Sequence, residues 1–174
     1  VYDQFYTEKQ TDFGSKLRIY ENRKTVNTVC LMQGSFPQKD NEIAIDRMYA
    51  DNNKLKVGDT FGMDGKEWVI SGLVALPDYS CLFENNSDSM FDAVLFGVAV
   101  VTEETFDTFD VNSLHYCYAW KYDAEPTDDA QEKQVSEDLM KALNGEVSLK
   151  DFVPRYENQA IRFTGEDMGS DRAM

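Results

Sequence analysis

The sequence is poor in the residues that bind zinc or form catalytic dyads. It contains one histidine, His115, and three cysteines, Cys30, Cys81 and Cys117, among 174 residues. A structural zinc site needs four ligands in close groups, and no two of these cysteines have the CxxC spacing. The sequence therefore predicts no metal site. One disulfide plus a free thiol is an alternative in an oxidising compartment, but we expect three reduced core thiols because free cysteine is commonly buried.

Positive charge is also scarce. Seventeen basic residues stand against 32 acidic ones, which gives a formal net charge of −15. Such a field repels polyphosphate and anionic lipid, so it disfavours nucleic-acid binding and adsorption to a membrane surface. High net charge commonly serves solubility, and a cationic partner is the alternative.

Long apolar runs are missing as well. The longest, residues 93–101, is interrupted by Gly97 and falls well short of the roughly 20 residues that cross a bilayer. The chain begins at Val1 without an initiator methionine, a basic segment or a signal-like apolar core. It stops at Met174 without a clear end to its last element. We therefore expect a fragment of a longer protein.

Catalytic patterns are equally sparse. His115 and Cys117 lie two residues apart on a predicted strand, so they share a face and could form a thiolate–imidazole pair. No oxyanion loop or third orienting residue accompanies them, which favours ordinary packing. The acidic clusters lack the spacing of a calcium loop. The Gly-Asp and Asp-Gly pairs at 58–59 and 64–65 lack the context of a phosphate loop and favour turns. We expect no catalytic residues, no cofactor and no enzyme activity.

Strand and helix signals alternate along the chain. Asp46 is a plausible N-cap for a helix over 47–53. Thr102 can cap a second helix over 103–109, and Gly145 ends a third that begins near Asp128. Strands are predicted where apolar residues alternate or run together. The predicted ranges are 15–23, 25–34, 42–46, 66–76, 93–101, 113–122 and the extended stretch 147–153. The first two are expected to form a hairpin.

These signals predict an α+β protein with two subdomains. The strongest strand signals cluster in residues 34–111, which we expect to form an inserted β-rich subdomain. Residues 1–33 and 112–174 would then form a sheet-and-helix unit built from both chain ends. A tail from Asn158 onward has weak helical character. Residues 1 and 174 are expected to lie close together.

The loop from Pro77 to Asp92 carries the candidate contact residues. It is long, and loops of about 12 or more irregular residues are usually functional or disordered. One interpretation, which we favour, packs its apolar residues into a small satellite core. The other exposes them as a contact patch for an amphipathic cationic ligand or a partner protein, with a rim formed by Asp78, Glu84, Asp88 and Asp92. The apolar candidates are Tyr79, Leu82, Phe83, Met90 and Phe91.

An aromatic stripe follows in the predicted strand over 113–122. Alternate positions place its large side chains on one face: Leu114, Tyr116, Tyr118, Trp120 and Tyr122. A stripe at strand spacing is more often core than a stacking platform for ligands.

Residues 34–80 resemble the extracytoplasmic core domain of FtsX-like and MacB-like ABC transporter permeases. The shared order is a Gly-Pro turn, "NEIAID", a short helix, "LKVGDTF", a hairpin and "EWVISGLVALPDY". The positions that match the family pattern are Gly34, Pro37, Glu42, Ile43, Ile45, Leu55, Gly58, Asp59, Phe61, Val69, Gly72 and Leu73. Elsewhere only the architecture is similar, and the loop with the candidate contacts resembles versions from gram-positive bacteria.

The resemblance implies a bacterial domain held between transmembrane helices on the extracytoplasmic side of the cell membrane. ATP would be hydrolysed by a separate cytoplasmic subunit or domain. The domain would transmit conformational change or engage a peptide, lipid-like or protein ligand. Because it is smaller than large MacB-type ectodomains, docking in a tripartite efflux pump does not follow. The alternative is a freestanding secreted binding module that uses the aromatic stripe.

Overall fold

The computed structural model describes residues 1–158 and divides the chain into two compact units. The first spans Val1–Trp120 and the second begins at Lys121. The first unit contains the strands β1 (Tyr2–Asp3), β2 (Tyr6–Gln10), β3 (Lys16–Glu21), β4 (Cys30–Gly34), β5 (Glu42–Asp46), β6 (Thr60–Met63), β7 (Lys66–Ala75), β8 (Phe96–Val101) and β9 (Tyr118–Ala119), with the helices α1 (Arg47–Asn53) and α2 (Glu103–Phe106).

Seven strands form one mixed sheet, which confirms the α+β class. The strand order is β2-β3-β8-β5-β7-β4. The seventh strand, β6, is not part of this linear order and pairs with β7. The pairs β3/β8 and β5/β7 are parallel, and the others are antiparallel. The segment with α1 and β6 connects β5 to its parallel neighbour β7. β1 and β9 form a separate two-stranded ribbon.

The core lies along the middle of this sheet. All six residues of β8 are buried, and the flanking strands β3 and β5 each bury four residues. Such continuous apolar runs are typical of strands buried on both faces. Each fully buried Ile or Leu, such as Ile43 and Leu17, contributes about 1.5–3 kcal/mol.

Helix α1 has the predicted bounds and N-cap. The Asp46 carboxylate accepts the backbone N–H of Tyr49 at 3.0 Å, which satisfies one of the orphan donors at the helix start. Lys54 ends the helix in the left-handed conformation at φ 58°. The fully buried Tyr49 ring lies against the backbone of β8, where a Cβ at Gly97 would stand 2.4 Å from it.

Two glycines allow a close approach of β4 to β7. A Cβ at Gly34 would lie 2.4 Å from the carbonyl oxygen of Ser71, and one at Gly72 would lie 2.4 Å from that of Ser35. Gly34 also has a φ of +76°, a conformation that side chains disfavour. Both positions therefore require glycine.

Several predicted elements are confirmed and others are wrong. The strand over 66–76, the turn at 64–65 and the helix after Asp128 are observed. The predicted hairpin of 15–23 with 25–34 is wrong, because β3 pairs with β2 and β8 whereas β4 pairs with β7. The second helix ends at Phe106. The strand over 113–122 is reduced to β9, and 147–153 forms no strand.

The observed division differs from the predicted subdomains. The strands β2, β3 and β4 from the first 34 residues belong to the same sheet as β5 to β8. A boundary at 33/34 therefore crosses one sheet, and the first unit continues to Trp120 rather than ending at 111. The predicted proximity of residues 1 and 174 and the helical tail concern residues 159–174, which lie outside the described residues.

The second unit is organised around helix α3 (Asp129–Asn144). Its N-cap Asp128 accepts the backbone N–H of Gln131 at 2.9 Å. The Tyr122 hydroxyl lies 3.2 Å from the buried Ser136 hydroxyl, so this tyrosine packs on the helix. Among residues 1–158, no helix combines the length and apolar character needed to span a membrane.

Candidate contact site and neighbouring cleft

Of the five predicted contact residues, Leu82 lies in the core and Tyr79 is half-buried against it. The Tyr79 hydroxyl accepts a hydrogen bond from Arg18 Nη1 at 2.9 Å and lies 2.6 Å from the Tyr20 hydroxyl. Leu82 is 1% exposed and belongs to the hydrophobic core. The packed interpretation therefore describes Leu82 fully and Tyr79 in part, since the Tyr79 hydroxyl is engaged by Arg18 and Tyr20.

The other three are at or near the surface. Phe83 and Phe91 form an edge-to-face pair with ring centroids 5.6 Å apart. Phe91 is exposed, and Met90 is 83% exposed. Val94 and Leu95 are also exposed, although the sequence pattern placed them in a buried strand. Their backbone N–H groups bond the Asp92 carboxylate in a turn that delays the start of β8 to Phe96.

The acidic residues predicted to form a rim around this loop already contact other groups of the chain. Asp78 pairs with Arg23 at 2.6 Å, and Glu84 pairs with Lys16. The Asp88 carboxylate accepts the backbone N–H of Asn85 at 2.8 Å. Together with the Asp92 turn, these contacts neutralise or occupy the carboxylates that a cationic ligand would need. The charges of these residues therefore give no reason to expect that the loop binds a cation.

A buried arginine organises the face of the sheet beneath the loop. The Arg18 side chain is 9% exposed and pairs with Glu8 at 2.7 Å. Its guanidinium lies 4.4 Å from the Tyr6 ring centroid and 5.0 Å from that of Phe96, which are cation–π distances. Periodicity gave no sign of this arrangement, because the partners come from distant parts of the chain.

The charge states of Arg18 and Glu8 follow from their surroundings. Burial alone would lower the pKa of Arg18, but Tyr79, Tyr20 and Glu8 outweigh it and hold the pKa above its ordinary value. Burial alone would raise the pKa of Glu8, but the hydrogen bond and charge of Arg18 hold it below its ordinary value. Both groups are therefore charged near neutral pH, and they form a structural ion pair.

The predicted stripe is only partly packed, because Leu114 contacts the hydrophobic core while Tyr116 and Tyr118 lie at the surface. Tyr116 and Tyr118 are 60% and 56% exposed. Both pack edge-on against Phe5, with ring centroids 4.9 and 5.4 Å apart. The strand that would have buried them is only two residues long. Tyr122 belongs to the second unit.

His115 and the cysteines show separate environments. The exposed His115 ring stacks on Tyr6 at 4.6 Å with an interplanar angle of 6°. Cys30 and Cys117 are exposed and Cys81 is buried, so the expectation of three core thiols is wrong for two of them. Burial raises the pKa of the Cys81 thiol, which favours an inert thiol over a thiolate.

A cleft of about 510 Å³ opens in the first unit. Its walls are the N-terminal segment 2–5, the end of β3 with the loop 20–26, and residues 106–114. The loop is tied to the N-terminal segment, because the Gln4 side-chain amide donates to the Val26 carbonyl oxygen at 3.0 Å. This cleft could not be foreseen from local patterns, because it joins three segments that are distant in sequence.

Other kinds of site have less support. Within residues 1–158, no group of three or more His, Cys, Asp or Glu side chains is placed to hold a metal ion. No protein-family model matches the sequence, and no curated protein matches it. A functional interpretation therefore depends on the residues and on their geometry.

Proposed function

We propose that the chain is an extracytoplasmic domain of an FtsX-like or MacB-like ABC transporter permease. It would transmit conformational change or engage a substrate or partner protein outside the membrane. The observation that carries this proposal is that residues matching the family pattern occupy positions where the local backbone requires them.

The glycines and acidic residues of the pattern illustrate this. Gly34 and Gly72 stand where β4 and β7 approach closely, and Gly58 has a φ of +93°. The Glu42 carboxylate accepts the backbone N–H of Gln38 at 2.8 Å. Asp59 accepts the backbone N–H of Lys56 at 2.8 Å within the following turn. These are scaffold roles, which agrees with a non-catalytic domain.

The proposal assigns the remaining activity to other parts of a transporter. ATP would be bound by a separate cytoplasmic subunit or domain, and the parent protein would be embedded in the cell membrane. This chain would require no cofactor and would not bind nucleic acid, in keeping with its net charge of −15.

Co-purification of the parent protein with an ATPase tests the proposal. We expect an affinity-tagged parent protein, extracted in mild detergent, to retain the ATPase encoded beside it and to support ATP hydrolysis. A parent gene without membrane spans, or a parent protein that retains no ATPase, would contradict the proposal.

One observation favours the second candidate, a freestanding secreted binding module. Tyr116 and Tyr118 keep more than half of their surface in solvent, as aromatic contact surfaces do. Fractionation separates the two candidates, because the module would be recovered from the culture medium and the permease domain from membranes.

A further inference from the structure

The cleft has the dimensions and lining of a small-molecule site. Its volume of about 510 Å³ falls within the usual range of about 300–1,000 Å³ for ligand pockets. Half-buried or exposed apolar side chains line it, including Phe5, Val26, Phe109, Val111 and Leu114. Val111 is 64% exposed, so a ligand that covered it would remove apolar surface from water.

Among the residues that the structure describes, the basic residues that line the cleft form ion pairs, whereas the acidic residues that line it do not. Its two cations have carboxylate partners that are not part of the lining. Arg23 Nη1 lies 2.6 Å from Asp78, and Lys24 Nζ lies 3.9 Å from Glu103. The Arg23 guanidinium also stacks over the Tyr20 ring at 4.1 Å, which fixes it against the wall.

Three lining carboxylates remain, from Asp3, Glu21 and Asp107. Within the described part of the chain, none of them forms an ion pair with a basic side chain. Burial raises the pKa of Glu21 and the nearby carboxylate of Glu103 raises it further, and the opposing charge of Lys24 only partly offsets them. A cation bound in the cleft would relieve this unfavourable charge.

We propose that this cleft binds an amphipathic cation, in which a primary amine or guanidinium is joined to an aromatic or branched apolar group. The charged end would lie between Glu21 and Asp107, and the apolar body would cover Val111 and the neighbouring aromatic side chains. The site is independent of the permease proposal, because it requires only the folded first unit. It also differs from the loop at 77–92, whose carboxylates already have partners.

Three probes of one shape test the charge requirement. Titration of the ¹⁵N-labelled chain with 4-phenylbutylamine should shift the amides of residues 20–26 and 106–114. The uncharged 4-phenylbutanol should bind about fivefold more weakly, a ratio typical of a partly exposed ion pair. The anionic 4-phenylbutyrate should bind more weakly still. Equal affinity for all three probes, or shifts confined to another surface, would overturn the proposal.

Matched variants test the location. Glu21→Gln with Asp107→Asn should weaken binding of the amine about fivefold or more. Asp51→Asn with Glu67→Gln removes the same formal charge from exposed positions outside the lining, and should leave the affinity unchanged. Val111→Lys places a cation on an exposed wall position and should abolish binding while the melting temperature stays the same. Unchanged affinity in the first or third variant would show that the amine binds elsewhere.

Discussion

At the scale of single residues, Arg18 is held by several partners at once. It combines an ion pair with Glu8, a hydrogen bond to Tyr79 and cation–π contacts with Tyr6 and Phe96. Removing one partner of a buried pair leaves the other without compensation, which costs more than the pair contributes.

Arg18→Met should therefore lower the free energy of unfolding by about 2–4 kcal/mol. The control Arg47→Met removes an exposed arginine whose pair with Asp51 spans 3.4 Å, and should change stability by less than about 1 kcal/mol. Urea denaturation of both variants measures the difference. Similar costs for the two variants would show that Arg18 contributes no more than a surface arginine.

The contribution of Glu8 should depend on pH. Its pKa is lower in the folded chain than in the unfolded chain, so its stabilisation is fully present above the unfolded value and is lost as the pH falls through the folded value. Glu8→Gln should thus cost more at about pH 7 than at about pH 3, since an unperturbed glutamate titrates near 4.3. Denaturation at both pH values measures this, and equal costs would contradict the ion pair.

Tyr79 tests whether the long loop is a contact surface or part of the core. Tyr79→Ser should lower the free energy of unfolding by about 2 kcal/mol or more, because it removes a half-buried ring that packs on the core and leaves Arg18 without one partner. Met90→Ser, at an exposed position of the same loop, should cost less than about 0.5 kcal/mol. An unchanged melting temperature for Tyr79→Ser would restore the contact-surface interpretation.

At the scale of elements, local chemistry predicts helices better than strand pairing. Asp46 and Thr102 are N-caps as expected, because capping depends on residues three positions away. Pairing depends on distant residues, and Lys16 of β3 lies opposite Phe96 of β8. The hairpin prediction failed for this reason. β2 gave little signal because Thr7 is its only buried residue.

The candidate site was also hard to predict, because it depends on contacts between residues that are distant in sequence. The composition of the loop at 77–92 suggested its importance, but burial of Tyr79 depends on Arg18 and Tyr20, about sixty positions earlier in the chain. The cleft was missed altogether, because no single segment forms more than one wall.

The packing of α1 on β8 gives a prediction for a single methyl group. A Cβ at Gly97 would lie 2.4 Å from Tyr49 Cγ, so Gly97→Ala should cost about 1–3 kcal/mol through overpacking. Gly145→Ala is the control, since its Cβ would meet only Ala142 O at 3.6 Å, and should not destabilise the chain. Thermal denaturation compares them, and a neutral Gly97→Ala would mean that Tyr49 can move.

At the scale of the whole molecule, the first unit combines a rigid mixed sheet with a chemically distinct cleft. The features that resemble permease ectodomains belong to the sheet, whereas the cleft has no counterpart in that pattern.

The most direct test of the permease proposal is whether this domain is accessible from outside intact cells. Cys30 and Cys117 are both exposed, so the test uses a Cys117→Ser variant in which Cys30 should react with a membrane-impermeant maleimide. The buried Cys81 provides an internal control that reacts only after denaturation. In intact cells that express the parent protein, we expect Cys30 to be modified as fully as in lysed cells, and the modified protein to remain in the membrane fraction. Modification of Cys30 only after lysis would contradict an extracytoplasmic permease domain.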